Sequence, residues 1–282
     1  MYRRNRVEGL IIAVVLLATV VAAAENRKEF RFRVHHHASV SVINQFGAIS
    51  VKPSSGRDVV VTAILHSDKA EIDTSHSGSR VSISTHLLAG ADADSGLVEY
   101  EVLVPADANV SLRSATGPIH AEKLHGDVIL EGNTANMDVR DLSDGHVHIK
   151  TLNGPVTLTN VSDGHVEITS VGGEVDLISV NGPLVHVNSN TGRIMYDGEF
   201  GGGGEYSLMT HTGDIEATAP SYASMDVLAS SSQGKVVNDF PLQPVHTSLV
   251  EKAGSAFAGT MGKAASSVKL LSFSGKIHLK KR

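Results

Sequence analysis

Five side chains near the middle of the chain carry the residue types of a transition-metal site. His146 and His165 lie 19 residues apart, and His148, Glu167 and His186 follow one another at the same interval. Imidazole nitrogens with a carboxylate oxygen suit Zn, Ni or Cu. The spacing limits what they do. On stacked parallel strands, same-column neighbours stand about 4.8 Å apart at the backbone, and same-strand partners are two residues away. Ligation needs tighter convergence and supporting outer hydrogen bonds. The sequence therefore reads as a surface cluster. His146, His148, His165, Glu167 and His186 are its only metal candidates, and no cofactor is assigned. His35-His36-His37 is weaker still, because adjacent strand residues point to opposite faces.

Acids form a second constellation. Asp138, Asp176 and Glu216 recur at one outward position of alternate repeats. Two repeats amount to about 9–10 Å, close to the ~6.5–9.5 Å carboxylate separation of an inverting glycosidase. Such a site also gathers an Arg or Lys in a cleft walled by long loops, and the repeats here are short. Arg193 beside Glu174 and Asp176 reads as a surface ion pair. Thr157-Leu158-Thr159 has no counterpart in the neighbouring repeats. The run of glycines at 201–204 lacks the Lys-Ser/Thr of a phosphate cradle. No catalytic residue is assigned.

What positions all these residues is a repeat. A register started at Asn109 restarts at Asp127, His146, His165, Leu184 and Glu205, in steps of 18, 19, 19, 19 and 21 residues. Its second and fourth positions are apolar (Val128 and Leu130, Val147 and Ile149, Val166 and Ile168). Its sixth is small, its ninth is Gly (Ala135 in one copy), and its eleventh and thirteenth are apolar again. Period-2 alternation means strands with one buried face. The Gly is expected to supply a backbone with φ > 0 at a sharp turn. A third apolar point, at Leu124, Leu142, Val161 and Val180, precedes a DG or NG turn. One such coil cannot offset the cost of ordering its own backbone, so coils must stack and hydrogen-bond to one another. The expected fold is all-β: a right-handed, single-stranded parallel β-helix (β-solenoid) with coils of about 19 residues and an N-terminal strand-rich cap. The inward Ser/Thr ladder is expected to be structural, bonding between coils.

The limits of the chain agree. Only 4% of its 282 residues are aromatic, and it has no Trp and no Cys. A core thin enough to need few aromatics fits a stack of coils, and disulfides and thiolate metal sites are excluded. Arg3, Arg4 and Arg6 precede an uncharged run from Leu10 to Ala24, which ends in three alanines. This reads as a signal peptide over 1–24 or an uncleaved signal anchor, and it puts the body outside the cytoplasm: periplasm, cell surface or secreted. Contact with a membrane is expected only through residues 1–24. The formal net charge is −6, and the only basic run in the body is Lys280-Lys281-Arg282, so nucleic acid is not expected as a partner. The expected organisation is an N-terminal β cap with the first coil over 25–108, solenoid coils over 109–237, an irregular insertion over 238–266 and a closing coil over 267–282.

A strand YEVLVP, then ADANVSLRSATGPIHAEKLHGDVIL, then Ser/Thr-x-x-Gly-x-Val/Ile units, then NDFPL and FSGKIHL together resemble the bacterial putative-adhesin β-strand-repeat family, an exported domain of unknown function. The resemblance runs from about Ala38 onward. It implies a β-solenoid body outside the cytoplasm and no catalytic residue. The departures are Ala135 at the turn Gly and an unusual number of His. The functional expectation is a non-catalytic exported β-solenoid, an adhesin or envelope binding and scaffold protein, whose partner is an envelope polysaccharide or protein. The alternatives are a carbohydrate-active lyase or hydrolase on a β-helix, and a membrane-anchored periplasmic accessory or sensor module.

Overall fold

Alternating Val, Ile and Leu over short segments make strands, and glycine pairs break them. The computed structural model describes residues 26–201, 203–244 and 255–282, so the expected signal segment lies outside the described residues. The N-terminal part contributes β1 (Asn26–Arg33), β2 (Ser39–Asn44), β3 (Ile49–Ser54), β4 (Asp58–Leu65), β5 (Ala70–Ser77), β6 (Arg80–Leu87) and β7 (Val98–Pro105). The repeats contribute β8 (Asn109–Ser114), β9 (Ile119–Glu122), β10 (Val128–Gly132), β11 (Met137–Ser143), β12 (Val147–Thr151), β13 (Val156–Ser162), β14 (His165–Ser170), β15 (Val175–Val180), β16 (Leu184–Ser189), β17 (Ile194–Asp197), β18 (Glu205–Thr210) and β19 (Ile215–Ala219). The C-terminal part adds β20 (Met225–Ser231), β21 (Val236–Asn238), β22 (Gln243–Pro244), β23 (Ala256–Met261), β24 (Ser266–Ser272) and β25 (Ile277–Lys281). No helix occurs among the described residues.

These strands form two long, mostly parallel sheets. One runs β1-β4-β7-β3-β9-β11-β13-β15-β17-β19-β25-β21, and the other β22-β23-β20-β24-β18-β16-β14-β12-β10-β8-β2-β6-β5. Each repeat gives one strand to each sheet, so each repeat is a rung. Val128 pairs with Val147, Val147 with Val166, and Val166 with Val185. On the other sheet Val156 pairs with Val175 and Val175 with Ile194. These side chains are buried between the sheets, each removing its aliphatic surface from water against its counterpart one rung away. The third apolar point is not a separate face. Leu142 and Val161 extend β11 and β13 beyond a left-handed residue, Asp141 or Asn160.

The glycines do a different job from the one their spacing suggests. Of the turn column, only Gly47 has φ > 0. At Gly154, Gly173, Gly192 and Gly213 a Cβ would lie 1.9–2.1 Å from the carbonyl oxygen of the same position one rung earlier. Only a residue without a side chain fits under that oxygen. A second column behaves alike: a Cβ on Gly145 would meet Gly126 O at 2.2 Å, and one on Gly164 would meet Gly145 O at 1.9 Å. The left-handed turn there falls to the preceding Asp144 and Asp163, whose short polar side chains tolerate it. Ala135 is accommodated because the sixth position of its own rung is Gly132. The bulk has moved by three residues, and a Cβ on Gly132 would come within 3.0 Å of the Ala135 methyl.

The two ends break the parallel rhythm. At the N-terminal end, β4 pairs antiparallel with β1 and β7, and β5 pairs antiparallel with β6. The outermost strand β1 carries Arg27, Lys28, Glu29, Arg31 and Arg33, charges that discourage further strand pairing. At the other end the chain skips a place. β24 and β25, the last strands in sequence, lie between β18/β19 and β20/β21. The coil expected to close the stack over 267–282 is therefore its penultimate rung. The stretch expected to be irregular, 238–266, holds β22 and β23; β23 lies antiparallel along β20, and β22 antiparallel along β23.

One rung carries a local aromatic core. Phe200 turns inward, its ring stacked on Tyr196 at 4.5 Å and edge-on to Tyr206 at 5.1 Å. It fills the place held in earlier rungs by Leu142, Val161 and Val180, which accounts for the longer step between β16 and β18. The Tyr196 hydroxyl donates to Val180 O at 3.0 Å and accepts from Phe200 N at 3.1 Å.

Candidate functional site

The corner that follows each strand of the second sheet forms a recess. Its floor is the column of small sixth-position residues, including Thr151, Ser170, Ser189, Thr210 and Ser272, all buried. Their hydroxyls hold the turn. Thr151 Oγ1 accepts from Gly154 N at 2.9 Å, Ser189 Oγ from Gly192 N at 2.9 Å and Ser272 Oγ from Gly275 N at 2.8 Å. Several also donate across rungs, as Thr210 Oγ1 does to Gly192 O at 3.3 Å and Ser231 Oγ to Gly275 O at 2.7 Å. The expected ladder thus bonds both within and between rungs.

The walls are the residues on either side of that floor. Ile43, Leu152, Val171 and Phe273 expose roughly two-fifths to one-half of their surface here (39%, 50%, 44% and 42%), an unusual proportion for large apolar side chains. Two depressions of about 540 and 620 Å³ share Thr169 in their lining, so the groove runs from Ile43 to Phe273. Arg113 and Glu131 form an ion pair on one wall. The His211 ring stacks on Phe273 at 4.8 Å and 9°. Sequence reading passed over this groove. Its signal was the apolar Leu152, Val171 and Phe273 directly after the small-residue column.

Four of the five His/Glu candidates come together on the outer face of the second sheet. His146, His148, His165 and Glu167 line one depression of about 270 Å³, with Asp127 at its rim. The His146 and His165 rings stack at 4.6 Å and 3°. His148 Nδ1 lies 3.2 Å from Glu167 Oε2, and His146 Nδ1 lies 3.7 Å from Asp127 Oδ1. His186 is drawn away toward Glu205, at 3.5 Å. Among the described residues no three His, Cys, Asp or Glu side chains are already gathered as a metal-ligand set.

The acidic column is dispersed and paired. Asp138 and Asp176 stand two rungs apart, with Thr157 between them. Asp138 bonds His120 at 2.9 Å and Arg140 at 2.9 Å. Asp176 and Glu174 share Arg193, at 3.4 and 3.5 Å, which is the ion pair expected from the sequence. Burial raises the Asp176 carboxyl above the usual carboxylate range, and Arg193 offsets part of that rise. Glu216 pairs with Lys280 at 2.7 Å. His35, His36 and His37 are not one site. His36 bridges Arg57 and Asp107, at 2.5 and 3.4 Å, while His37 adopts a left-handed backbone with its N–H on Asp107.

The fold and these surfaces define an all-β, solenoid-like repeat protein. Its family follows from the sequence: residues 39–280 match the model of the Toastrack DUF4097 family, and the chain belongs to that family. The resemblance to a bacterial adhesin-type domain of unknown function is thereby met. Among solved structures, a putative adhesin from Bacteroides fragilis is 12% identical, with 92% of this chain and 99% of that one covered at a TM-score of 0.51. A putative cell adhesion protein from Clostridium sporogenes is 11% identical, with 91% and 100% covered at a TM-score of 0.29. No curated protein sequence matches the chain.

Proposed function

We propose that this chain is an exported, non-catalytic β-solenoid of the adhesin type, wound right-handed in coils of about 19 residues. It binds an extended envelope polymer, a polysaccharide or a protein strand, along the corner groove. The observation that carries this reading is the groove itself: exposed Leu152, Val171 and Phe273 stand in one column, the first two on adjacent rungs, and Ile43 lies on the facing wall, over a floor of buried hydroxyls. Clustered exposed apolar surface marks interaction sites. Export rests on the basic and apolar character of residues 1–24. The paired carboxylates of the outer face serve solubility and rung-to-rung attraction in this reading.

A glycan array, with a parallel panel of envelope proteins, tests it. Wild-type protein is expected to retain a ligand that Leu152→Asp and Val171→Asp lose at least tenfold, while Asp138→Ala binds as wild type. Binding that ignores both groove substitutions, or turnover of a glycan abolished by Asp138→Ala, would overturn the assignment.

A further inference from the structure

We propose that the outer face of β12 and β14 binds one divalent transition-metal ion through His146, His148 and His165. Stacking brings the three imidazoles together. His146 and His165 occupy the same column on adjacent rungs, and His148 stands two residues along β12 on the same face. Theirs is the only His–His ring contact among the described residues. Of the other paired imidazoles, His120 sits alone between Glu122 and Asp138, and His186 and His278 each sit alone against one carboxylate.

Two further features suit a metal. Ligating imidazoles characteristically present their second ring nitrogen to a carboxylate, which orients the ring and raises its basicity. Here Asp127 faces His146 Nδ1 and Glu167 faces His148 Nδ1, leaving each Nε2 for an ion. The depression they line is open to solvent and has room for an ion with its waters. The rings of His146 and His165 are stacked rather than converged. Convergence requires them to splay from parallel about χ2, a broad torsion for His, on side chains that are not packed. Three nitrogens with water at the remaining positions suit Zn²⁺, Ni²⁺ or Cu²⁺.

Titration of the purified full-length protein with ZnCl₂, followed calorimetrically, is expected to give one site per chain. His146→Ala with His165→Ala is expected to remove it. Asp127→Asn, which alters a positioning residue, is expected to weaken it by about 10–100-fold. With CuCl₂, electron paramagnetic resonance is expected to show nitrogen coordination that the double variant lacks. These residues are on the surface, so an unchanged melting temperature separates lost binding from lost folding. No zinc binding, or binding that survives the double substitution and is lost with His36→Ala, would overturn the proposal.

Discussion

Gly132 and Ala135 show how tightly each position answers to its neighbours. Every other rung places a hydroxyl residue or Asn at the sixth position and Gly at the ninth, and this rung inverts the sizes. A Cβ on Gly132 would lie 2.7 Å from Met137 Cε, 2.8 Å from Ser114 O and 3.0 Å from the Ala135 methyl. Gly132→Ser alone is expected to destabilise by about 1–3 kcal/mol, as overpacking does. Gly132→Ser combined with Ala135→Gly restores the pattern of the other rungs. The pair is expected to be less destabilised than the sum of the single changes by about 0.5–3 kcal/mol. A denaturant double-mutant cycle checks this, and additive effects would mean that the exchange of bulk is coincidental. At this scale the sequence was legible in kind but not in cause. It displayed a glycine at every ninth position but one, Ala135. It could not display that the constraint comes from a carbonyl one rung away rather than from the glycine's own φ, because alternation says nothing about the distance between stacked backbones.

Among the elements, the informative one is the β24–β25 rung. The register of Val128, Val147, Val166 and Val185 could be read directly, because each rung repeats the one before it and neighbours in sequence are neighbours in space. That logic fails at the C-terminus. All rungs present similar Val and Ile columns, so the pattern over 266–281 fits any open place in the stack, and nothing local records which one it takes. The groove escaped notice for a related reason: it is made of one residue from each rung and is visible only after stacking. The His cluster was legible because period and column coincide. The placement of β24 and β25 has a measurable effect. A chain ending at Ala264 loses both strands, and with them the partners of β18, β19, β20 and β21. Limited proteolysis is expected to cut throughout 220–264 in that truncated chain and to leave β8 to β15 protected. Were the rung a simple terminus, cleavage would stay confined to the cut end.

The whole molecule is a one-dimensional stack whose buried phenols sit toward opposite ends. Burial pushes the Tyr100 hydroxyl from its ordinary 10.0 up to about 12, against a hydrogen bond with Thr85. Burial likewise raises Tyr196 and Tyr206. A group whose pKa is raised on folding contributes stability that is complete below its unfolded value and disappears as pH climbs through the folded one. The window here opens near pH 10 and closes near pH 12, with Tyr100 alone responsible for roughly 3 kcal/mol. Alkaline titration is expected to show tyrosinate absorbance and loss of sheet circular dichroism rising together above pH 10. In a Tyr2→Phe/Tyr222→Phe variant, which keeps only these three phenols and lacks the exposed Tyr222, tyrosinate forming with an intact sheet signal would contradict the burial of these rings.

The skipped place near the C-terminus also fixes an order of events. A ribosome delivers this chain from its N-terminus, so β20 and β21 emerge while the slot beside them is still vacant. In the finished fold neither pairs with β18 or β19, whose free edges are taken by β24 and β25. Accretion in sequence order therefore reproduces the strand order only as far as β19, and β20 and β21 take their places against β24 and β25. A chain cut between Ala219 and Ser266 leaves the edges of β18 and β19 without the two strands that cover them.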